Sequence, residues 1–349
     1  MEIKAEELLY RLQEKKDIPA LGRVWAVFGE EDYYRQQITA ATLNAIFLDT
    51  PEDDRQIYIY DRDTNLKALY SVVNTNSIFS DKTLVILHDE KLLAAKAESE
   101  SKKQQLDELA TILNDVPEHC TVLLSVSKLD KRTKLYKAIK KNGLVCECQS
   151  IRPYELGEWL DEQATRYDAR WQRDAIGVIM EYLAPVEKAP LQLLHQEIAK
   201  LAVYAGERRI WTKEDVEAVF AALPEASNFA LLNFIAEKNL PEALQVLAGE
   251  RKKGTNILPL CSLIVFKLRQ LLQFMELRRR GYGSKEVAAE LKLHPYAAKK
   301  MEAQCRRFTE AELRAALLAI AQLNVDLRKG GRDYSRLEEI LLQLLGGRE

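Results

Sequence analysis

Trp25-Ala26-Val27-Phe28-Gly29-Glu30-Glu31-Asp32-Tyr33-Tyr34 is the stretch on which the reading of the first half of this chain turns. Four apolar residues run into a glycine and three carboxylates, and a helical period begins at Asp32, so a buried strand turns directly into a helix. In many α/β proteins such a turn carries GxxxxGK[ST], whose backbone amides and lysine wrap phosphates. Here Glu30, Glu31 and Asp32 stand in its place. They suit the positive end of the helix dipole but would repel a triphosphate seeking the same amides. The motif occurs nowhere else in the 349 residues, so the chain is expected to bind no ATP itself.

Outward from this turn, short apolar runs at 23–28, 56–60, 83–88, 121–126 and 144–149 alternate with helical periods at 32–47, 66–73, 102–113 and 131–141, after a first helix at 5–15. That rhythm predicts a five-stranded parallel sheet with right-handed crossovers. After Pro153 the strand signal stops and an all-helical pattern continues to the end, with breaks near Gly206 and Pro224. Thr212 with Asp215 and Thr309 with Glu312 mark two helix starts by their capping spacing. The expected domains are therefore an α/β domain at 1–150 and helical domains at 151–222 and 223–349.

Composition narrows the function classes. Lys and Arg total 51 against 53 Asp and Glu, a formal charge of -2, so no global field draws the chain to nucleic acid or to an anionic membrane. The longest charge-free apolar stretch, 254–266, is shorter than the roughly 18 residues that span a bilayer. The first 22 residues carry charges throughout and lack a secretory pattern, so a cytoplasmic protein is expected. Five scattered cysteines give no disulfide framework, and four distant histidines give no metal site. No catalytic constellation is expected. Cys146 and Cys148, at alternate strand spacing, read as small apolar residues on one face.

Four features carry competing readings. The run Leu84-Val85-Ile86-Leu87-His88-Asp89-Glu90 has the form of a strand ending in a Walker B acid pair. Without a phosphate loop, Asp89 and Glu90 read as acids serving a strand end or as a degenerate relic. Between Lys128 and Lys141 six Lys and one Arg face a single acid, Asp130. Lys131, Arg132, Lys134, Lys137 and Lys141 could contact DNA phosphates or a partner, although a solvated helix face is the simpler reading. Ala288, Leu291, Leu293, Ala298 and Met301 fit the apolar positions of a helix-turn-helix. Lys292 at the turn, and the lack of Asn, Gln or Arg over 295–301, favour a plain hairpin. Finally, Ile78 and Phe79 are adjacent large apolar residues between Ser77 and Ser80, and one helix or strand face cannot bury both. They are either a loop anchor or an exposed plug for a partner's pocket.

Several segments, in order and spacing, resemble the delta subunits of bacterial DNA polymerase III clamp loaders, an AAA+-like family. They are WAVFGEEDYYRQQI (25–38), NSIFSDKTLVIL (76–87), LLSVSKLDKRTKLYKAIKKNG (123–143), LQLLHQEIAKLAVYAG (191–206), IWTKEDV (210–216), FKLRQLL (266–272) and LNVDLRKGGRDYSRLEEILLQLL (323–345). The resemblance implies an AAA+/RecA-like α/β domain, a helical lid and a helical collar that assembles the loader. It implies a non-catalytic subunit of the polymerase holoenzyme that binds the sliding clamp (beta) through Ser77, Ile78, Phe79 and Ser80 and holds one ring interface open. Ile78 stands where the family more often has Leu, a volume-conserving change. Partner ATPase subunits (gamma/tau) would bind the ATP, delta prime would be a further partner, and primed DNA would enter the assembled complex. The rival classes are an ATP-binding AAA+ subunit and a helix-turn-helix DNA-binding protein.

Overall fold

The computed structural model describes residues 1–76, 81–93, 100–183, 186, 188–220, 224–328 and 334–346, with backbone only for 224–227. Contacts divide the chain into two units, Met1–Ser150 and Ile151–Glu349. The expected boundary at 222/223 falls within the second unit, between residues that are not described.

The first unit runs β1 (Glu2–Ile3), α1 (Ala5–Gln13), β2 (Val24–Phe28), α2 (Asp32–Ile46), β3 (Gln56–Tyr60), α3 (Leu66–Asn74), β4 (Thr83–Leu87), α4 (Glu90–Leu93), α5 (Glu100–Asn114), β5 (Cys120–Val126), α6 (Lys134–Asn142) and β6 (Gly143–Glu147). Every strand pairing is parallel, in the order β1-β6-β2-β5-β4-β3. The sheet therefore has six strands, not five. β1 is two residues long, too short to show a period, and exists because Glu2 and Ile3 pair with Val145 and Cys146 along the free side of β6. β2 and β4 are buried at every position, as strands covered on both faces must be. β3 forms the opposite edge, with Ile57, Tyr58 and Ile59 exposed. The basic helix begins at Lys134, not Lys131, because the Thr133 hydroxyl accepts the Tyr136 amide and caps it there.

The second unit contains α7 (Gly157–Thr165), β7 (Arg170–Trp171), α8 (Arg173–Tyr182), α9 (Leu191–Ala205), β8 (Ile210–Trp211), α10 (Lys213–Phe220), α11 (Pro224–Ala236), α12 (Leu240–Lys253), α13 (Ile257–Arg279), α14 (Ser284–Glu290), α15 (Pro295–Cys305), α16 (Glu310–Arg328) and α17 (Tyr334–Leu345). It is helical except for the parallel pair β7–β8, which corrects the all-helical expectation. Two-residue strands leave no periodic signal. Their pairing sets Trp171 edge-on to Trp211 at 4.9 Å.

Both expected helix caps are present. The Asp215 amide donates to the Thr212 hydroxyl at 3.3 Å, and the Thr212 amide donates to the Asp215 carboxylate at 2.9 Å. At α16 the Thr309 amide donates to Glu312 at 2.7 Å and the Glu312 amide donates to the Thr309 hydroxyl at 3.2 Å. Among the described residues α13, at 23 residues, is the one helix long and apolar enough to cross a membrane. Its Leu260, Ile264, Leu268, Leu271 and Phe274 are nonetheless the centre of the helical core, packed with residues of α11, α12, α16 and α17.

Candidate functional site

Because all strands are parallel, the turn after β2 and the acids after β4 lie along the same edge of the sheet, where an α/β fold places ligands. In this chain the backbone there is already committed. The Gly29 amide donates to Val126 O at 3.2 Å, the Glu31 amide to Cys148 O at 3.2 Å, and the Tyr33 amide to the Glu31 carboxylate at 3.1 Å. Gly29 has φ +139°, and a Cβ on it would stand 2.1 Å from Cys148 O, so the turn is pressed against the chain leaving β6. Amides that would cradle a phosphate hold the sheet's edge together instead.

The acid pair has likewise been taken into the fold. Asp89, 2% exposed, accepts from the Thr64 amide and hydroxyl at 2.9 and 2.8 Å and from the Leu92 amide at 3.0 Å. Burial raises its pKa, but these donors together outweigh that and hold it below the ordinary aspartate value. Glu90 accepts from the Ser127 amide and hydroxyl at 2.6 and 2.9 Å and lies 3.8 Å from Arg35. One acid ties the β3–α3 loop to α4, and the other ties α4 to the end of β5.

The expected clamp-binding residues Ser77, Ile78, Phe79 and Ser80 lie outside the described residues, and the chain on either side of them is described. α3 buries Leu69 and Val73, leaves Tyr70 58% exposed and ends at Asn74. On the far side Asp81 is exposed and leads to Thr83, the first residue of β4. At about 3.3 Å per residue, the five residues of β4 span roughly 15 Å between this end of the strand and the acids that follow Leu87.

The basic face of α6 is largely paired. Lys131 meets Glu147 at 2.7 Å, Lys134 meets Asp107 at 2.6 Å, Lys140 meets Glu2 at 2.8 Å, and Arg132 folds back on Asp130 at 2.9 Å. The hydrogen bond that Lys131 donates to Glu147 is the largest cause raising the Lys131 pKa. Among the described residues Lys137 and Lys141 have no such partner; they are exposed and border a shallow depression of about 350 Å³. Sequence reading saw Asp130 but missed Glu147, Asp107 and Glu2, which lie 16, 27 and 138 positions from the lysines they meet.

The helix-turn-helix pattern forms a hairpin of α14 and α15. Lys292 takes φ +52°, the left-handed geometry such a turn uses, despite carrying a side chain. α15, which would be the reading helix, is covered. Tyr296 packs where a Cβ on Gly177 would sit, 2.6 Å away, and Lys300 pairs with Glu181 of α8 at 2.9 Å. Among the described residues no three His, Cys, Asp or Glu side chains are grouped to hold a metal ion.

These features define a parallel α/β domain, whose turn after β2 and strand-end acids serve the fold, joined to a helical unit. Residues 25–149 match the family model of the DNA polymerase III delta subunit, and residues 225–345 match that of its C-terminal domain. The chain is 28% identical over 327 residues to DNA polymerase III subunit delta of Bacillus subtilis, covering 92% of each. It is 21% identical over 270 residues to a probable DNA polymerase III subunit delta of Aquifex aeolicus, covering 75% of this chain and 73% of that one. Its fold is similar to the solved Bacillus subtilis DNA clamp loader delta protein, with a TM-score of 0.56, 24% identity, and coverage of 98% of this chain and 100% of that chain. The chain belongs to the DNA polymerase III delta subunit family.

Proposed function

We propose that this protein is the non-catalytic clamp-opening subunit of a replicative clamp loader in the cytoplasm. Residues 77–80 carry the contact with the sliding clamp, and Ile78 and Phe79 enter a pocket on the ring. ATP acts through partner ATPase subunits, held together with this chain and with delta prime by a collar at 223–349, while 151–222 forms the lid. The loaded ring is left on primed DNA. The observation that carries this reading is the family match in both the α/β and the helical parts. The committed amides at Gly29, Glu31 and Tyr33 support the assignment of ATP to other subunits.

Opening a ring requires more than binding it, since a ligand with equal affinity for both states shifts neither. The direct test is release of clamp rings from nicked circular DNA by the purified chain without ATP. Release at a rate above spontaneous loss is expected. A chain that binds the clamp tightly yet leaves that rate unchanged would restrict the function to tethering.

A further inference from the structure

Inside the helical unit lies a half-enclosed cavity of about 690 Å³, within the size range of small-molecule sites. Its apolar wall includes Met180 of α8, Phe229 of α11, Phe266 of α13 and Met301 of α15. Its charged lining is unbalanced: Arg152, Lys267, Arg269 and Lys292 against Glu181.

Glu181 is already engaged by Lys300 at 2.9 Å, and the same ammonium lies 5.5 Å from the Phe229 ring centroid. Lys292 is drawn to Tyr154, donating to its hydroxyl at 3.3 Å and sitting 4.7 Å from the ring centroid. Lys267, half-buried on the central helix of the core, has neither hydrogen bond nor ion pair among the described residues. A cation held beside an apolar wall without a counter-charge is costly unless an anion answers it.

We propose that this cavity binds a small organic anion, an aromatic or otherwise apolar body bearing one carboxylate, sulfonate or phosphate group, with the charge against Lys267 and the body against Phe229 and Phe266. Burial pushes the Lys267 pKa down to about 8. Glu181 of α8 opposes that shift, Lys300 of α15 adds to it, and Cys305 of α15 and Glu237 after α11 oppose it more weakly. An anion at the ammonium reverses the shift, so binding near pH 8 takes up a proton.

The probe is 8-anilinonaphthalene-1-sulfonate, titrated into the full chain by fluorescence and by calorimetry in two buffers of different ionisation enthalpy. Saturable one-to-one binding with proton uptake at pH 8 is expected, weakening as the pH rises from 7 to 10. Lys267→Met should raise Kd tenfold or more and abolish the uptake, Lys267→Arg should stay within about threefold, and the exposed Lys252→Met should match the parent. N-phenyl-1-naphthylamine, the same body without the sulfonate, should not distinguish the parent from Lys267→Met. Affinity indifferent to both pH and Lys267→Met, or equal losses for the charged and neutral probes, would overturn the proposal. The pH series on the parent decides the matter if the Met variant does not fold.

Discussion

Asp89, at the end of a strand of Walker B form, uses its acceptor capacity within the fold. Its oxygens are filled by Thr64 and Leu92. Asp89→Ala strands those donors at a buried position and is expected to cost about 2 kcal/mol, the scale of a lost buried charged hydrogen-bond acceptor. Urea unfolding measures the cost; a change below about 0.5 kcal/mol would contradict the structural role. Calorimetry with ATP should detect no binding at the Gly29 turn in the parent or in Asp89→Ala. Micromolar affinity lost on Asp89→Ala would revive the ATPase reading, whereas affinity lost on Lys267→Met belongs to the helical cavity. The acid pair itself was legible in the sequence. Its partners were not, since Thr64 lies 25 positions from Asp89 and Ser127 lies 37 from Glu90, and only the crossover topology brings them together.

At the scale of elements, the start of α16 joins two observations. Glu312 closes the capping box with Thr309 and also receives Lys238 at 3.0 Å, and the Thr309 amide, followed by Lys238, lowers its pKa from 4.5 to about 2. A depressed carboxylate pKa contributes stability that is present above pH 4.5 and lost as the pH falls through about 2. Glu312→Gln should therefore cost about 1 kcal/mol at pH 7, the scale of a helix cap, and the difference should shrink toward pH 2. Thermal melts of both proteins across that range test it; a gap independent of pH would assign the effect to packing. This cap was readable because its partners are three residues apart. β1, β7 and β8 were not, because two residues carry no period and each owes its existence to a neighbour distant in sequence. The five longer strands were found to within a residue or two because each is an apolar run bounded by polar turns.

Over the whole molecule, the parallel sheet has two unlike ends. At its carboxyl end the turn after β2 is closed by its own backbone, and at the other end α3 stops at Asn74 and β4 begins at Thr83. On the proposed assignment of assembly to the helical part, a chain truncated after Ser150 should lose co-purification with the loader's ATPase subunits while keeping the clamp contact. Retained co-purification would move the assembly surface into the α/β domain. The fold was legible through its periods, whereas the proposed clamp segment rests on a failure to fit one, two adjacent large apolar residues between Ser77 and Ser80, and on the family resemblance. The measurement that bears most directly on the account is clamp affinity beside thermal unfolding for Ile78→Ala with Phe79→Ala. Each side chain is worth roughly 1.5 to 3 kcal/mol when buried in a partner, so Kd should rise about a hundredfold or more while Tm stays within about 2 °C. Unchanged affinity, or a large fall in Tm from loss of a core anchor, would contradict it.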